Sequence, residues 1–270
     1  MKIHHLNCGS LREIDPADGP GSPLTPRRVV CHCLLIETAA AGLVLIDTGL
    51  GTRDIEHPGE SLGADWVTLA EPALDPGETA LRQVTLLDHS PADVRHIVVT
   101  HLDRDHAGGI PDFPHARVHV RQAEYQQAIA GSLQRYRQSQ VGGHRNWATY
   151  LSGRDGTWFG FDAVQLDGLP PEILLIPLGG HSPGHSAVAV KAGDHWLLHV
   201  GDACFYHQET DPDVPRSHPV LDFVQLSAET DRSLRLSNVA RLRELRRHHG
   251  DRVKVFCAHD PWEFQQMRAC

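Results

Sequence analysis

Six consecutive residues near the middle of the chain, His101-Leu102-Asp103-Arg104-Asp105-His106, hold four side chains able to bind a metal. They follow His96-Ile97-Val98-Val99-Thr100, a short β-branched run that reads as a buried strand. The carboxyl end of that strand would deliver His101, Asp103, Asp105 and His106 into a turn, and Gly108 and Gly109 let the turn pass close to an ion. Imidazole mixed with carboxylate suits zinc, iron, manganese or cobalt. Such a site is catalytic rather than structural when it keeps a position open for water.

Further candidates also sit just past strands. Gly180-His181-Ser182-Pro183-Gly184-His185 follows the apolar run Ile173 to Leu178, Gly201-Asp202-Ala203 follows residues 196–200, and Ala258-His259-Asp260 follows Val253 to Cys257. In these residues the chain resembles the metallo-β-lactamase-fold superfamily of metallohydrolases, whose pattern is HxHxDH, a distant His, a bridging Asp and a last His. Asp47-Thr48-Gly49, after Leu43 to Ile46, matches the family's early turn, so the resemblance runs along nearly the whole chain. It implies a four-layer αββα sandwich with a binuclear site. It further implies that His101, Asp103 and His185 hold one divalent ion, that Asp105, His106 and His259 hold the other, and that Asp202 bridges them. His181 is expected to support the ligands from behind. Zinc is the expected metal.

Asp103 departs from the pattern, which has a second His there. Two divalent ions, three carboxylates and a bridging hydroxide sum to zero, whereas the commoner two-carboxylate site keeps one positive charge. The expected result is a weaker Lewis acid and better tolerance of iron or manganese. The flavodiiron proteins of the same superfamily carry a Glu at this place. The competing role for Asp103 is that of an acceptor orienting a ligating His.

The HLxxDHAGG context looks most like the N-acyl-homoserine-lactone lactonase branch. Such lactonases carry a Tyr three residues after the bridging Asp, where this chain has Phe205 with Tyr206 beside it. The resemblance implies hydrolysis of a small ester, lactone or related acyl substrate, with a metal-bridging hydroxide as nucleophile. Asp105 would pass a proton at the leaving group, and Tyr206 or His207 would help stabilise the oxyanion. Two other classes stay open. One is iron-dependent redox chemistry with oxygen or a persulfide, motivated by Asp103; the other is a ligand-binding member without turnover.

Composition narrows the partners. A chain of 270 residues with 40% hydrophobic content fits one two-sheet domain over 1–270. A formal charge of −9 disfavours nucleic acid, whose non-specific binding depends on neutralising phosphates. No 18-residue apolar run is present, so no membrane span is expected. Met1-Lys2-Ile3-His4-His5-Leu6 lacks a secretory pattern, which makes the cytoplasm the expected compartment. The six cysteines then read as reduced thiols. Cys31-His32-Cys33 lies inside the strand-like Val29 to Ile36, where alternation sends both cysteines to one face and His32 to the other. The sequence does not disclose the oligomeric state.

Strands are expected at 29–37, 43–47, 96–100, 117–120 and within 173–201, and helices at 79–87, 123–133 and 228–249. Loops at 9–28, 50–78, 134–170 and 205–225 are the expected pocket walls. Their aromatics, Trp66, Trp147, Trp158, Phe159, Phe161, Phe205, Tyr206 and Phe223, favour a substrate with an apolar part.

Overall fold

A computed structural model describes residues 1–17, 24–131, 135–151 and 156–269. The apolar runs pair into two six-stranded sheets. The first holds β1 (Lys2–Ile14), β2 (Arg27–Glu37), β3 (Leu43–Ile46), β4 (Val94–Val98), β5 (Arg117–Arg121) and β6 (Trp147–Tyr150), side by side in that order. The second holds β7 (Gly156–Trp158), β8 (Phe161–Gln165), β9 (Ile173–Pro177), β10 (Ser186–Ala192), β11 (His195–His199) and β12 (Val253–Phe256), again in sequence order. Each sheet is mixed. The pairs from β3 through β6 are parallel, as is β11 with β12, and the remaining pairs are antiparallel.

Alternation along the strands builds the layers. On β10, Val188 and Val190 face the first sheet and meet Leu34, Ile36 and Val44, while Ala187 and Ala189 face outward. The helices are α1 (Thr52–Glu56), α2 (Ala64–Ala70), α3 (Ala80–Leu86), α4 (Arg104–Ala107), α5 (Gln122–Ala130), α6 (Gln138–Val141), α7 (Pro219–Ala228), α8 (Arg232–His249) and α9 (Pro261–Arg268). α3 and α5 lay Ala80, Val84 and Ala128 on the outer face of the first sheet, and α8 lays Val239, Leu242 and Leu245 on that of the second. The result is the αββα sandwich. Among the described residues no helix is long and apolar enough to cross a membrane.

Three elements differ from expectation. β1 forms along residues whose alternation is hidden by His4, His5, Asn7 and Gly9, because the strand breaks register twice against β2 and its period is not constant. The expected loop 205–225 contains most of α7, with Pro219 in its first turn. The helix expected from 228 begins later: α7 ends at Ala228, and the Asp231 carboxylate caps α8 by accepting from Leu234 N–H at 2.9 Å. Between them the chain turns so that Thr230 and Asp231 N–H both donate to Gly180 O, at 2.9 and 2.8 Å. That contact seats α8 against the His181 loop. Residues 18–23, 132–134 and 152–155, parts of the expected loops and of the helix expected at 123–133, lie outside the described residues.

Candidate metal centre

Every candidate ligand leaves a strand or its following turn at one end of the sandwich, and the turns converge on Asp202. Its Oδ2 lies 3.5 Å from His101 Nε2 and 3.4 Å from His181 Nε2. Its Oδ1 lies 3.2 Å from both His106 Nε2 and His259 Nε2. Each carboxylate oxygen therefore faces its own cluster. On the Oδ2 side Asp103 Oδ2 is 3.4 Å from His101 Nε2 and 3.1 Å from His181 Nε2. On the Oδ1 side Asp105 Oδ2 is 3.6 Å from His259 Nε2, and the His106 and His259 Nε2 atoms are 3.2 Å apart.

The imidazoles are held from behind. His106 Nδ1 is 2.9 Å from Asp47 Oδ2, His259 Nδ1 is 2.8 Å from Val30 O, His181 Nδ1 is 3.2 Å from Gln225 Oε1 and His101 Nδ1 is 3.0 Å from Thr100 Oγ1. An acceptor at Nδ1 keeps the proton there and turns the Nε2 lone pair toward the centre. Asp47 anchors two of these supports, accepting from Thr100 N–H at 2.7 Å and Thr100 Oγ1–H at 2.8 Å. It does so in the left-handed backbone region, φ 55°, a conformation that a non-glycine residue adopts at an energetic cost. His101 Nε2 and Asp202 Oδ1 are buried without a hydrogen bond among the described residues. Orphaned donors of this kind, ringed by carboxylate and imidazole, fit a bound divalent cation.

The carboxylates and imidazoles are strongly coupled. Burial alone would raise the Asp202 carboxyl, but the facing His106, His259, His101 and His181 hold it well below the usual range. Burial would likewise lower His106, yet Asp202 and Asp47 on either side of it raise it well above an ordinary imidazole. Burial would raise Asp103 as well, and Arg135 followed by His101 reverses that.

His185 is not placed where the resemblance put it. Its Nδ1 is 2.8 Å from Leu178 O, and its Nε2 accepts from Asp202 N–H at 3.0 Å. Both nitrogens are consumed by backbone, and the ring lies under the Gly201 turn (φ 53°), where a Cβ would stand 2.7 Å from His185 Nε2. His181 takes the inward position instead. The physical reason is the Ser182-Pro183-Gly184 turn, which leads His181 toward Asp202 and returns His185 to the start of β10.

Tyr206 is also displaced from its expected place. Phe205 faces the centre, its ring 5.1 Å from His259 and 6.0 Å from His181, whereas Tyr206 is wholly buried against His218 and Trp262 at 5.6 and 6.0 Å. Neighbouring side chains on extended backbone point oppositely, and Tyr206 has φ −132° and ψ 133°. His207 Nδ1 is engaged by Asp260 Oδ2 at 2.6 Å.

Other residues join the site without a local sequence signal. Arg135 pairs with Asp103, and one atom each of Cys31, Asp105 and His259 lie within 4.8 Å of one another. Above the centre opens a cavity of about 190 Å³ with Asp103, Asp105, His181, Asp202 and His259 at its base. Its walls include Leu11, Trp66, Phe205, Val220, Phe223 and Val224. Trp147, Trp158, Phe159 and Phe161, counted earlier as wall candidates, pack on the outer faces of the sheets. A larger cavity of about 630 Å³, lined by His5, Lys254 and Met267, holds none of the converging donors.

Residues 26–246 match the family model of the metallo-beta-lactamase superfamily. The chain belongs to that superfamily. It is 41% identical to a probable metallo-hydrolase of Mycobacterium tuberculosis over 99% of this chain and 83% of that protein. It is 25% identical to an N-acyl homoserine lactonase of Bacillus thuringiensis, covering 92% of this chain and 88% of the other. Among solved structures it superposes on an N-acyl homoserine lactone hydrolase holding N-hexanoyl-L-homoserine at its catalytic metal centre. That match has a TM-score of 0.71 at 22% identity, over 100% of this chain and 96% of that one. The fold is thus the metallo-β-lactamase fold, and the chain is a metallo-hydrolase by family.

Proposed function

We propose that this chain hydrolyses a small ester, lactone or related acyl substrate with an apolar part, using two divalent ions, zinc foremost. The observation that carries the reading is Asp202 between two donor clusters at the base of an apolar cavity. His101, Asp103 and His181 would hold one ion, Asp105, His106 and His259 the other, and Asp202 both. Bound ions would supply an acidified water as nucleophile and polarise the carbonyl.

The chain's own residues do the rest. Asp47, Thr100, Val30 and Gln225 keep the imidazoles aimed, so little reorganisation is needed. Asp105 lines the cavity and would carry a proton to the leaving group. Phe205 contributes packing and no hydroxyl. Val220 and Phe223 stay 42% and 67% exposed, an apolar rim suited to an acyl group and poor for a free sugar or nucleotide. The solved relative with N-hexanoyl-L-homoserine at its metal centre points to the same substrate class.

The test is a turnover panel of lactones, aryl esters, thioesters and organophosphates with metal analysis of the same preparation, never exposed to chelator. Two ions per chain and turnover of an acyl substrate are expected. Absence of metal, or oxygen consumption without hydrolysis in iron-loaded protein, would overturn the proposal.

A further inference from the structure

Arg135 meets Asp103 in a two-bond fork. Its Nε donates to Oδ1 at 2.6 Å and its Nη2 to Oδ2, while Nη1 donates to His181 O at 3.1 Å and Ala228 O at 2.9 Å. Nη2 also lies 2.8 Å from His181 Nε2. Both side chains are largely removed from water, the guanidinium 15% and the carboxylate 13% exposed. Burying such a pair costs desolvation on both partners, so its place beside the donor clusters calls for a reason beyond cohesion.

Oδ2 is also the Asp103 oxygen that faces His101 and His181. A carboxylate oxygen has two lone pairs, so it can accept from the guanidinium and still offer one to a cation. The Oδ2 side of Asp202 has donor separations of 3.1 to 3.5 Å, much like the 3.2 to 3.6 Å of the other side. That similarity favours a cation on each side, with the guanidinium yielding its contact at His181 Nε2 to the ion and keeping its fork on Asp103.

We propose, resting on the ligand reading above, that Arg135 is the resident counter-charge of Asp103, so that the two together stand where the HxHxDH pattern has one neutral imidazole. The charge count then changes. Three carboxylates and a hydroxide against two divalent ions sum to zero, and the guanidinium returns the total to one positive charge, that of the commoner site. Asp103 alone would make a weaker Lewis acid; the pair does not. Arg135 is a positioning residue, since it acts on the centre through Asp103 and the His181 loop.

The test is zinc retention against a competing chelator in the parent, D103H, R135Q and D103H/R135Q. D103H leaves a buried guanidinium unpaired beside the ions, and retention should fall by at least about 10-fold. Adding R135Q should return it to within about 3-fold of the parent, a non-additivity expected of directly coupled charges. If Arg135 merely anchors the His181 and Ala228 carbonyls, the double variant will be as poor as D103H or poorer, and the proposal falls. Should D103H not fold, D103N and D103N/R135Q carry the same comparison, and failure to rescue there overturns it equally. A parent with one ion that gains a second in R135Q would also overturn it, because the guanidinium would then occupy an ion's place. A parent that binds no metal would instead remove the ligand reading and this inference with it.

Discussion

Two populations of buried or half-buried histidine share this molecule. His101, His106, His181 and His259 each have Nδ1 against an oxygen acceptor and Nε2 facing a carboxylate. His5, His32, His96 and His119 are paired with one another instead, His5 Nδ1 to His32 Nε2 at 2.8 Å and His96 Nδ1 to His119 Nε2 at 2.9 Å. In the second population burial dominates, followed by neighbouring cationic groups, and lowers His5 to about 4 and His119 to about 3. Removal from water, complete or partial, is common to both. What the Nε2 lone pair faces is what separates a metal candidate from a packed ring, and by that criterion His185 belongs with the second population.

The comparison breaks most completely if Asp202 is removed, because it is the carboxylate that all four inward Nε2 atoms face. D202A should lower turnover by at least about 1,000-fold, equivalent to about 4 kcal/mol of barrier, and strip metal from the purified protein. Retained turnover with full metal content would show that the histidines alone define the site.

His181 and His185 divide the two classes within one loop. H181A should lose at least about 100-fold in metal retention, more than the loss of an orienting partner produces. H185A should keep its metal and lose about 1–3 kcal/mol of folding stability, because Asp202 N–H and Leu178 O are left unpaired. Chelator competition and thermal melts on the two variants decide it, and the reverse pattern would make His185 the ligand.

Asp47 sharpens the criterion from behind. D47N weakens the acceptor at His106 Nδ1, and metal retention should fall about 10- to 100-fold while the fold persists. An unchanged chelator titration would show that the orienting bond is dispensable.

The smallest effect concerns the packed rings. Folded values of about 4 for His5 and about 3 for His119 lie below the ordinary 6.5, so the unfolded chain takes up these protons first as the pH falls. Their stabilising contribution is complete above about pH 6.5 and shrinks as the pH drops toward those folded values. The part of the melting temperature that these rings contribute should therefore decline between pH 7 and 5, and H119Q should fall less than the parent over that range. Equal slopes in parent and variant would mean that His119 is not held neutral.

Much of this was legible in the chain. The strand expected at 96–100 is found as β4, Val94–Val98, shifted by two residues, and the donor-rich turn that follows places His101, Asp103, Asp105 and His106 together by local rules. Asp202 and His259 follow apolar strands in the same way. β1 was not legible, because two register breaks against β2 scramble its alternation. Tyr206 and Phe205 could not be told apart by composition, since which of two neighbours faces inward depends on the backbone path into the turn.

The sequence by itself determined the superfamily pattern, the alternation that layers two sheets between helices, and the identity of most candidate donors, because these depend on residue type and on spacing within a few positions. Only the tertiary structure decided that His181 rather than His185 turns toward Asp202 and that Arg135 reaches Asp103 from 32 residues away. Both outcomes depend on how separate loops pack against one another. A Pro-Gly turn allows either imidazole to point inward until Asp202 N–H, Leu178 O and Gln225 claim their nitrogens. A guanidinium and a carboxylate so far apart in the chain meet only through the packing of the loops that carry them.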